Sequence, residues 1–379
     1  MSTASQLSYY PYIVLKLSPA CNLACGYCDS PNFLPSKEFM SIELFSRVLE
    51  EFVPYFANQE QKYELQLIFH GGEPLLAGRA FFREVLELES HVDTTNLEIS
   101  NGIQTNGTLI TEDWIEIFKQ GQFRVGLSLD GPEVLHDKYR KDKSGKPTFH
   151  RVAQSLAMFQ EEKLPICLLN VVTDESPRYC KSFFQLLMEW DVSAINFLPF
   201  IGYAAHTHID AYSKYACDFF DLWLDHDTPF DVLTFVDILK QLDDRQGKFC
   251  YFTEKCRKYI FIDSLGRIYP CDRDIGDDRY QIGTISPSSF NLADPRPIDL
   301  QKTLPSACVE CHVKEICSGG CPVLISPETG RDVYCSARKT LIQHIYRRLQ
   351  EQDLNPDDIL QRFDRGDDRG MEWVDTIIQ

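Results

Sequence analysis

Sulfur carries the chemistry most visible in this sequence. Of its fourteen cysteines, all but Cys167, Cys180 and Cys217 fall into two groups. Cys21, Cys25 and Cys28 are separated by three and then two residues and follow a β-branched, aromatic run. Three thiolates on a tight loop hold three corners of a cubane iron–sulfur cluster and leave one iron open to a substrate. The competing reading is zinc, but structural zinc sites close with four ligands, and the nearest further donor is His70, on the next strand. Tyr27, just before the third cysteine, suits either stacking on an adenine or packing the loop. The second group is Cys250, Cys256, Cys271, Cys308, Cys311, Cys317, Cys321 and Cys335. Eight thiolates are enough for two fully ligated clusters. A zinc ribbon on Cys308, Cys311, Cys317 and Cys321 leaves the other four unexplained. Cys167, Cys180 and Cys217 sit among apolar or aromatic neighbours and read as small buried hydrophobes.

Oxygen donors stand beside the first group. Gly71-Gly72-Glu73-Pro74 closes a second apolar run. Its glycines permit close backbone approach, and a carboxylate with exposed carbonyls suits an ammonium group. Asp272 directly follows Cys271 in Cys271-Asp272-Arg273-Asp274. It reads either as a surface acid paired with Arg273 or as a proton acceptor, since a carboxylate of ordinary pKa about 3.9 is ionised at pH 7.

The elements that must position these residues alternate. Strand patterns cover Tyr12 to Leu17, Leu65 to Phe69, Leu97 to Ile103, Arg124 to Ser128, Ile166 to Val172 and Ala194 to Phe200. Helix-period stretches lie between them: Ser41 to Phe52, Ala80 to His91, Thr111 to Lys119, Phe149 to Gln160 and Pro177 to Trp190. Such βαβ units imply a parallel sheet, and six of them predict a partial (β/α)6 TIM-like barrel with its chemistry at the C-terminal strand ends. Residues 1–225 form this α/β barrel in that reading. Residues 226–249 form a helical bridge, 250–335 a small cysteine-rich domain stabilised by metal, and 336–379 a C-terminal helix and tail. Helices are expected over Ala211 to Leu224, Phe230 to Leu242 and Lys339 to Glu351, and the acidic stretch after Leu354 reads as weakly ordered up to Trp373.

With 44% apolar and 25% charged residues the chain is an ordinary globular protein. A net charge of −18 disfavours nucleic acid as partner. Met1 to Gln6 lacks a basic, then apolar, signal, and no apolar run approaches the roughly 20 residues of a membrane span, so a cytoplasmic location without membrane contact is expected.

CxxxCxxC with an aromatic before its last cysteine, after the first βα strand, and GGEP after the second, resembles the radical S-adenosylmethionine superfamily. The cysteine intervals from Cys250 to Cys335 resemble its SPASM domain. The resemblance implies three [4Fe–4S] clusters: one on Cys21, Cys25 and Cys28, an inner auxiliary cluster on Cys250, Cys256, Cys271 and Cys321, and an outer one on Cys308, Cys311, Cys317 and Cys335. It implies that S-adenosylmethionine binds the open iron beside Tyr27. Its amino group would lie on Gly71, Gly72, Glu73 and Pro74, its carboxylate on Arg140, its ribose or carboxylate on Ser128, and its adenine near Leu198, with Asn106 lining the pocket.

For Ser128 and Asn106 an ordinary strand-end hydrogen bond is the competing reading, and for Arg140 a solvated helix charge. In the similar anaerobic sulfatase-maturating enzymes a Cys-Asp step supplies the general base, a role that falls on Asp272. The implied chemistry is reductive cleavage to a 5′-deoxyadenosyl radical, hydrogen abstraction from Cβ of a precursor peptide or protein, and a two-electron oxidation. An electron donor such as flavodoxin or ferredoxin is implied as partner. His70-Gly71-Gly72-Glu73-Pro74 and Asp29-Ser30-Pro31 depart from the sulfatase-maturating pattern and look more like ribosomal-peptide maturases of the cyclophane-forming group. A peptide crosslink is therefore the first expectation and formylglycine the alternative. The substrate is expected between the strand ends and the inner cluster, with a hairpin over Tyr259 to Ile268 offering an edge to the peptide.

Overall fold

The computed structural model describes residues 12–28, 37–57, 63–92, 95–200, 208–245, 247–253, 259–292 and 303–363. Cys256 and Trp373 lie outside them. The expected strands form as β1 (Tyr12–Lys16), β2 (Tyr63–His70), β3 (Leu97–Thr105), β4 (Arg124–Ser128), β5 (Ile166–Val172) and β6 (Ala194–Pro199). All pair in parallel, in sequence order. Five crossover helices, Ile42–Ala57, Gly78–Ser90, Glu112–Gln120, Phe149–Glu161 and Ser176–Glu189, connect them in the expected places. Each buries one stripe against the sheet, as Phe45, Val48 and Phe52 do on the first and Val152, Leu156 and Phe159 on the fourth. β5, Ile-Cys-Leu-Leu-Asn-Val-Val, is almost wholly buried because such a sheet is covered on both faces. Cys167, Cys180 and Cys217 are buried in this core, as small hydrophobes.

The sheet does not stop at six strands. The stretch beginning at Phe230 opens with a two-residue strand, β7 (Asp231–Val232), which pairs in parallel with β6 before the helix Leu233–Leu242. Beyond residue 250, β8 (Tyr259–Asp263) pairs in parallel with β1 along its full length. Three short strands continue from it in antiparallel: β9 (Arg267–Tyr269), β10 (Gly283–Ser286) and β11 (Ser289–Leu292). The order β11-β10-β9-β8-β1-β2-β3-β4-β5-β6-β7 is thus one open sheet shared by the barrel and the cysteine-rich region. Small size explains the sharing: a segment with few apolar residues gains a core by extending an existing sheet.

Two expectations are corrected here, and one helix joins those expected. The hairpin of β8 and β9 forms, but β1 fills one side of it and β10 the other, so it offers a peptide no free edge. The connection after β4 holds a helix, Glu133–Tyr139, too short for its periodicity to be read, starting behind Pro132. The tail after Leu354 forms a helix, Pro356–Phe363, whose Ile359 and Leu360 are buried.

A chain truncated after residue 247 would leave β1 paired with β2 alone and expose its β8-facing edge along Tyr12–Lys16. Such an edge promotes association. Size-exclusion chromatography is expected to show aggregates; a soluble, monomeric truncated barrel would contradict the shared sheet.

Candidate active site and cluster-binding thiols

The three-thiol loop leaves the end of β1, and the glycine turn leaves the end of β2. The pairing of the two strands runs on into both loops. Leu17 donates its N–H to the His70 carbonyl (2.9 Å), Gly72 to that of Ser18 (2.7 Å) and Glu73 to that of Ala20 (2.8 Å). This docking is what requires the glycines. Gly71 has φ +138°, and a Cβ there would stand 2.4 Å from the Ser18 oxygen; one on Gly72 would stand 2.3 Å from the Ala20 oxygen. From the other side Ala24 and Gly26 donate to the carbonyls of Lys141 and Tyr139, which clamps the loop between two segments.

Glu73 is 1% exposed and turned inward. It accepts hydrogen bonds from the Leu75 N–H (3.1 Å), the Thr105 hydroxyl (2.7 Å) and the Asn106 N–H (2.8 Å). Burial nevertheless pushes its pKa up to about 7. Its carboxylate therefore fastens the turn to β3. The Asn106 side chain reaches back to Asn22 (2.8 Å) and to the Cys21 sulfur (3.8 Å), so it braces the thiol loop. Ser128 accepts from the Gln104 amide (3.1 Å) at the end of β4, and Leu198 lies partly exposed near the end of β6.

Arg140 is not a solvated charge. It is 8% exposed and grips Asp130 through Nε (2.8 Å) and Nη2 (3.1 Å). Asp130 also accepts from the Tyr27 hydroxyl and from the Val171 N–H (3.1 Å). The Tyr27 ring lies under the Arg140 guanidinium (5.5 Å to the ring centroid) and meets Phe200 edge-on. Tyr27 thus packs and anchors the loop, one of its two expected readings.

Cys21, Cys25 and Cys28 lie within electrostatic reach of one another. Burial pushes the Cys25 thiol up to about 11 and raises that of Cys21. Thiols held this way ionise when a metal displaces the proton. In the C-terminal region Cys308, Cys311, Cys317 and Cys335 line one small pocket. Cys321 lines a second with Arg273 among aromatic and aliphatic side chains, and Cys250 and Cys271 lie near that same guanidinium. Among the described residues no three His, Cys, Asp or Glu groups converge on a single-ion site.

Asp272 spans the two halves. It adjoins Cys271, yet its carboxylate pairs with Lys16, the last residue of β1. The Lys16 ammonium also lies 3.2 Å from Nδ1 of His70, the last residue of β2, and that nitrogen accepts the Gly71 N–H (2.7 Å). Burial, then Lys16, drives the His70 pKa down to about 3, so the ring is neutral. Burial raises the Asp272 pKa, but Lys16, by its charge and hydrogen bond, and Arg273 outweigh it and hold the carboxyl below its usual range. A third of its side chain is exposed, at the strand ends that carry the thiol loop. Lys16, Asp130, Asp332 and Arg338 escaped sequence reasoning, although a lysine closing the apolar run of β1 is a readable anomaly.

Residues 15–187 match the Radical SAM superfamily. The cysteine-type anaerobic sulfatase-maturating enzyme of Clostridium novyi is 28% identical over 357 residues, which cover 89% of this chain and 95% of that one. Native anSMEcpe with bound AdoMet has the same fold with a TM-score of 0.78 and 25% identity, covering 92% of this chain and 99% of that one. It has also been solved with the Kp18Cys peptide (TM-score 0.77, 26% identity, 90% and 98% covered). Streptococcus suis SuiB bound to precursor peptide SuiA shares the fold (TM-score 0.61, 19% identity, 88% and 77% covered). No described helix is long and apolar enough to cross a membrane.

Gly72→Ala drives a Cβ into backbone atoms, whereas Gly26, in the same thiol loop, has open space around its Cβ position. Overpacking costs about 1–3 kcal/mol, and rigid backbone neighbours place Gly72→Ala at the upper end. Urea denaturation is expected to show that loss for Gly72→Ala and near-neutrality for Gly26→Ala; equal effects would remove the docking argument.

Proposed function

From a chain that carries a radical SAM domain, we propose an enzyme that oxidises a side chain of a peptide or protein by two electrons. The observation that carries this reading is the Lys16–Asp272 pair. It holds a carboxylate beside the expected inner-cluster ligand Cys271 and at the strand ends bearing Cys21, Cys25 and Cys28. When bound, S-adenosylmethionine and the clusters supply radical abstraction of a hydrogen atom from an unactivated C–H bond and take up the remaining electron.

This chain's residues do the rest. The Gly71–Pro74 backbone receives the cofactor's ammonium group, and Arg140, pre-set by Asp130, receives its carboxylate. Ser128, Asn106 and Leu198 complete the pocket. Asp272 takes the proton lost from the substrate; Lys16 keeps it ionised and aimed. The enclosing strand ends hold the target Cβ, since a misplacement of about 1 Å can cost about 10²-fold.

Two products fit this geometry. Formylglycine draws support from a cysteine-type sulfatase-maturating relative matched over 95% of its length. A peptide crosslink draws support from His70 before the glycines and from Asp29-Ser30-Pro31 after the third cysteine. The aldehyde is at least as well supported as the crosslink. Carbonyl trapping followed by tandem mass spectrometry separates them. A hydrazone on a former cysteine or serine marks formylglycine, and an untrappable product with two side chains joined marks a crosslink. A peptide deuterated at the target Cβ is expected to pass its label to 5′-deoxyadenosine.

Anaerobic reconstitution is expected to give about twelve irons per chain, falling to about eight when Cys21, Cys25 and Cys28 are replaced by Ala. Iron near four in the wild type would overturn the auxiliary clusters, and stoichiometric zinc the redox reading altogether.

Asp272→Asn is expected to keep cofactor cleavage and iron content and to lose about 10²–10⁴-fold in peptide product, the usual contribution of a general base. Undiminished product would make Asp272 a tether for Lys16 and nothing more.

A further inference from the structure

His70 closes β2 directly across from Lys16, the last residue of β1. Side chains alternate along a strand, so both share a face with Val14, Ile68 and, on β8, Phe261, a buried cluster separate from the helix-covered core. That face is the inside of the barrel, and Lys16 and His70 stand on it at the strand ends, where barrels carry their chemistry. One ammonium serves two partners there: Lys16 Nζ pairs with Asp272 and lies 3.2 Å from Nδ1 of His70.

Every hydrogen-bond contact of the His70 ring runs through Nδ1. The Gly71 N–H donates to it at 2.7 Å, and the Lys16 ammonium has only donors to offer. A proton on Nδ1 would face both, and its one outlet, the Gly71 carbonyl, is the longest contact at 3.3 Å. The neutral ring therefore carries its proton on Nε2. Among the described residues Nε2 has no partner, and it is not a buried orphan either. It opens onto the barrel mouth beside Asp272, a third of whose side chain is exposed. By residue type His70 is the natural rival of Asp272 as proton acceptor, but its lone pair is already engaged twice. What it has left to give is a hydrogen bond.

We propose that His70 is a substrate-binding residue whose Nε2–H donates to a backbone carbonyl of the peptide beside the residue being oxidised. This rests on the peptide-acting reading above and removes His70 from its proton chemistry. A backbone carbonyl is the acceptor that a peptide of any sequence brings to the mouth. Once the peptide has displaced water, an Nε2–H left without an acceptor is costly, so the donor favours chains that place a carbonyl there. Asp272 takes the proton, and His70 sets the depth at which the chain lies.

Two readouts test this. The first is 15N-histidine NMR of the full chain with Cys21, Cys25 and Cys28 replaced by Ala, which removes the nearest cluster. His70 is expected to show a neutral ring with its proton on Nε2 across the range in which an ordinary histidine titrates. A proton on Nδ1, or a charged ring at neutral pH, would overturn the proposal. The second is steady-state kinetics of the reconstituted enzyme with the Kp18Cys peptide as probe. His70→Leu removes the donor and is expected to lose about tenfold in kcat/KM, with the loss in KM. His70→Gln keeps an N–H donor and has no basic nitrogen, so it should recover most of that loss. An equal fall in kcat for both variants would make His70 a base, and no loss in either would leave it without a substrate contact; each result overturns the proposal. Failure of the loaded wild type to bind or convert this peptide would instead bring down the peptide-acting reading, while the NMR readout still decides the tautomer.

Discussion

The site depends on one backbone contact, the docking of the Gly71-Gly72 turn onto the Ser18–Ala20 segment. Parallel strands normally part company where they end. Here the segments leaving β1 and β2 stay hydrogen-bonded past the strand ends, through Gly72 to Ser18 and Glu73 to Ala20. The cost is that neither glycine can carry a side chain. The gain is that the loop holding three thiols has a fixed height above the barrel. Glu73 extends the same constraint to β3 through Thr105 and Asn106, and Asn106 returns it to Cys21.

Charge follows the same economy of parts. Buried ion pairs contribute little net stability, because desolvation offsets attraction, but breaking one is costly. This protein keeps such pairs where orientation matters. Asp130 sets Arg140, Lys16 sets Asp272, and Asp332 sets Arg338. Asp130 and Arg140 lie ten residues apart and Asp332 and Arg338 six, whereas Lys16 and Asp272 come from opposite ends of the chain.

Much of this was legible in the sequence because it rests on local signals. Six strands and five crossover helices were read within a few residues, since period and punctuation are local. The cysteine groups were readable as intervals; Cys308, Cys311, Cys317 and Cys335 line one pocket, and Cys256 lies outside the described residues. What escaped was long-range. Nothing in Tyr259–Asp263 announces that its partner is β1, 247 residues earlier at Tyr12. The role of Lys16 depends on that pairing, as that of Arg140 depends on Asp130. The glycines were read for their freedom, but the atoms that demand it belong to the thiol loop.

The β8–β1 pairing also fixes the thiol loop and Asp272, from different parts of the chain, relative to each other, as the proposed proton transfer requires. In two domains joined by a linker, the distance between Cys21 and Asp272 would fluctuate with the interface. A shared register removes that freedom: Lys16 stands beside Asp263 on one side and His70 on the other. Nine residues after Asp263, Asp272 returns to the Lys16 ammonium. The loop it closes contains Cys271, so the inner thiols and the strand-end thiols are fixed relative to each other by backbone hydrogen bonds and one ion pair. Substrate oxidation that needs hydrogen abstraction on one side and proton removal on the other requires such fixed geometry. A continuous sheet supplies it more rigidly than packing between separate domains.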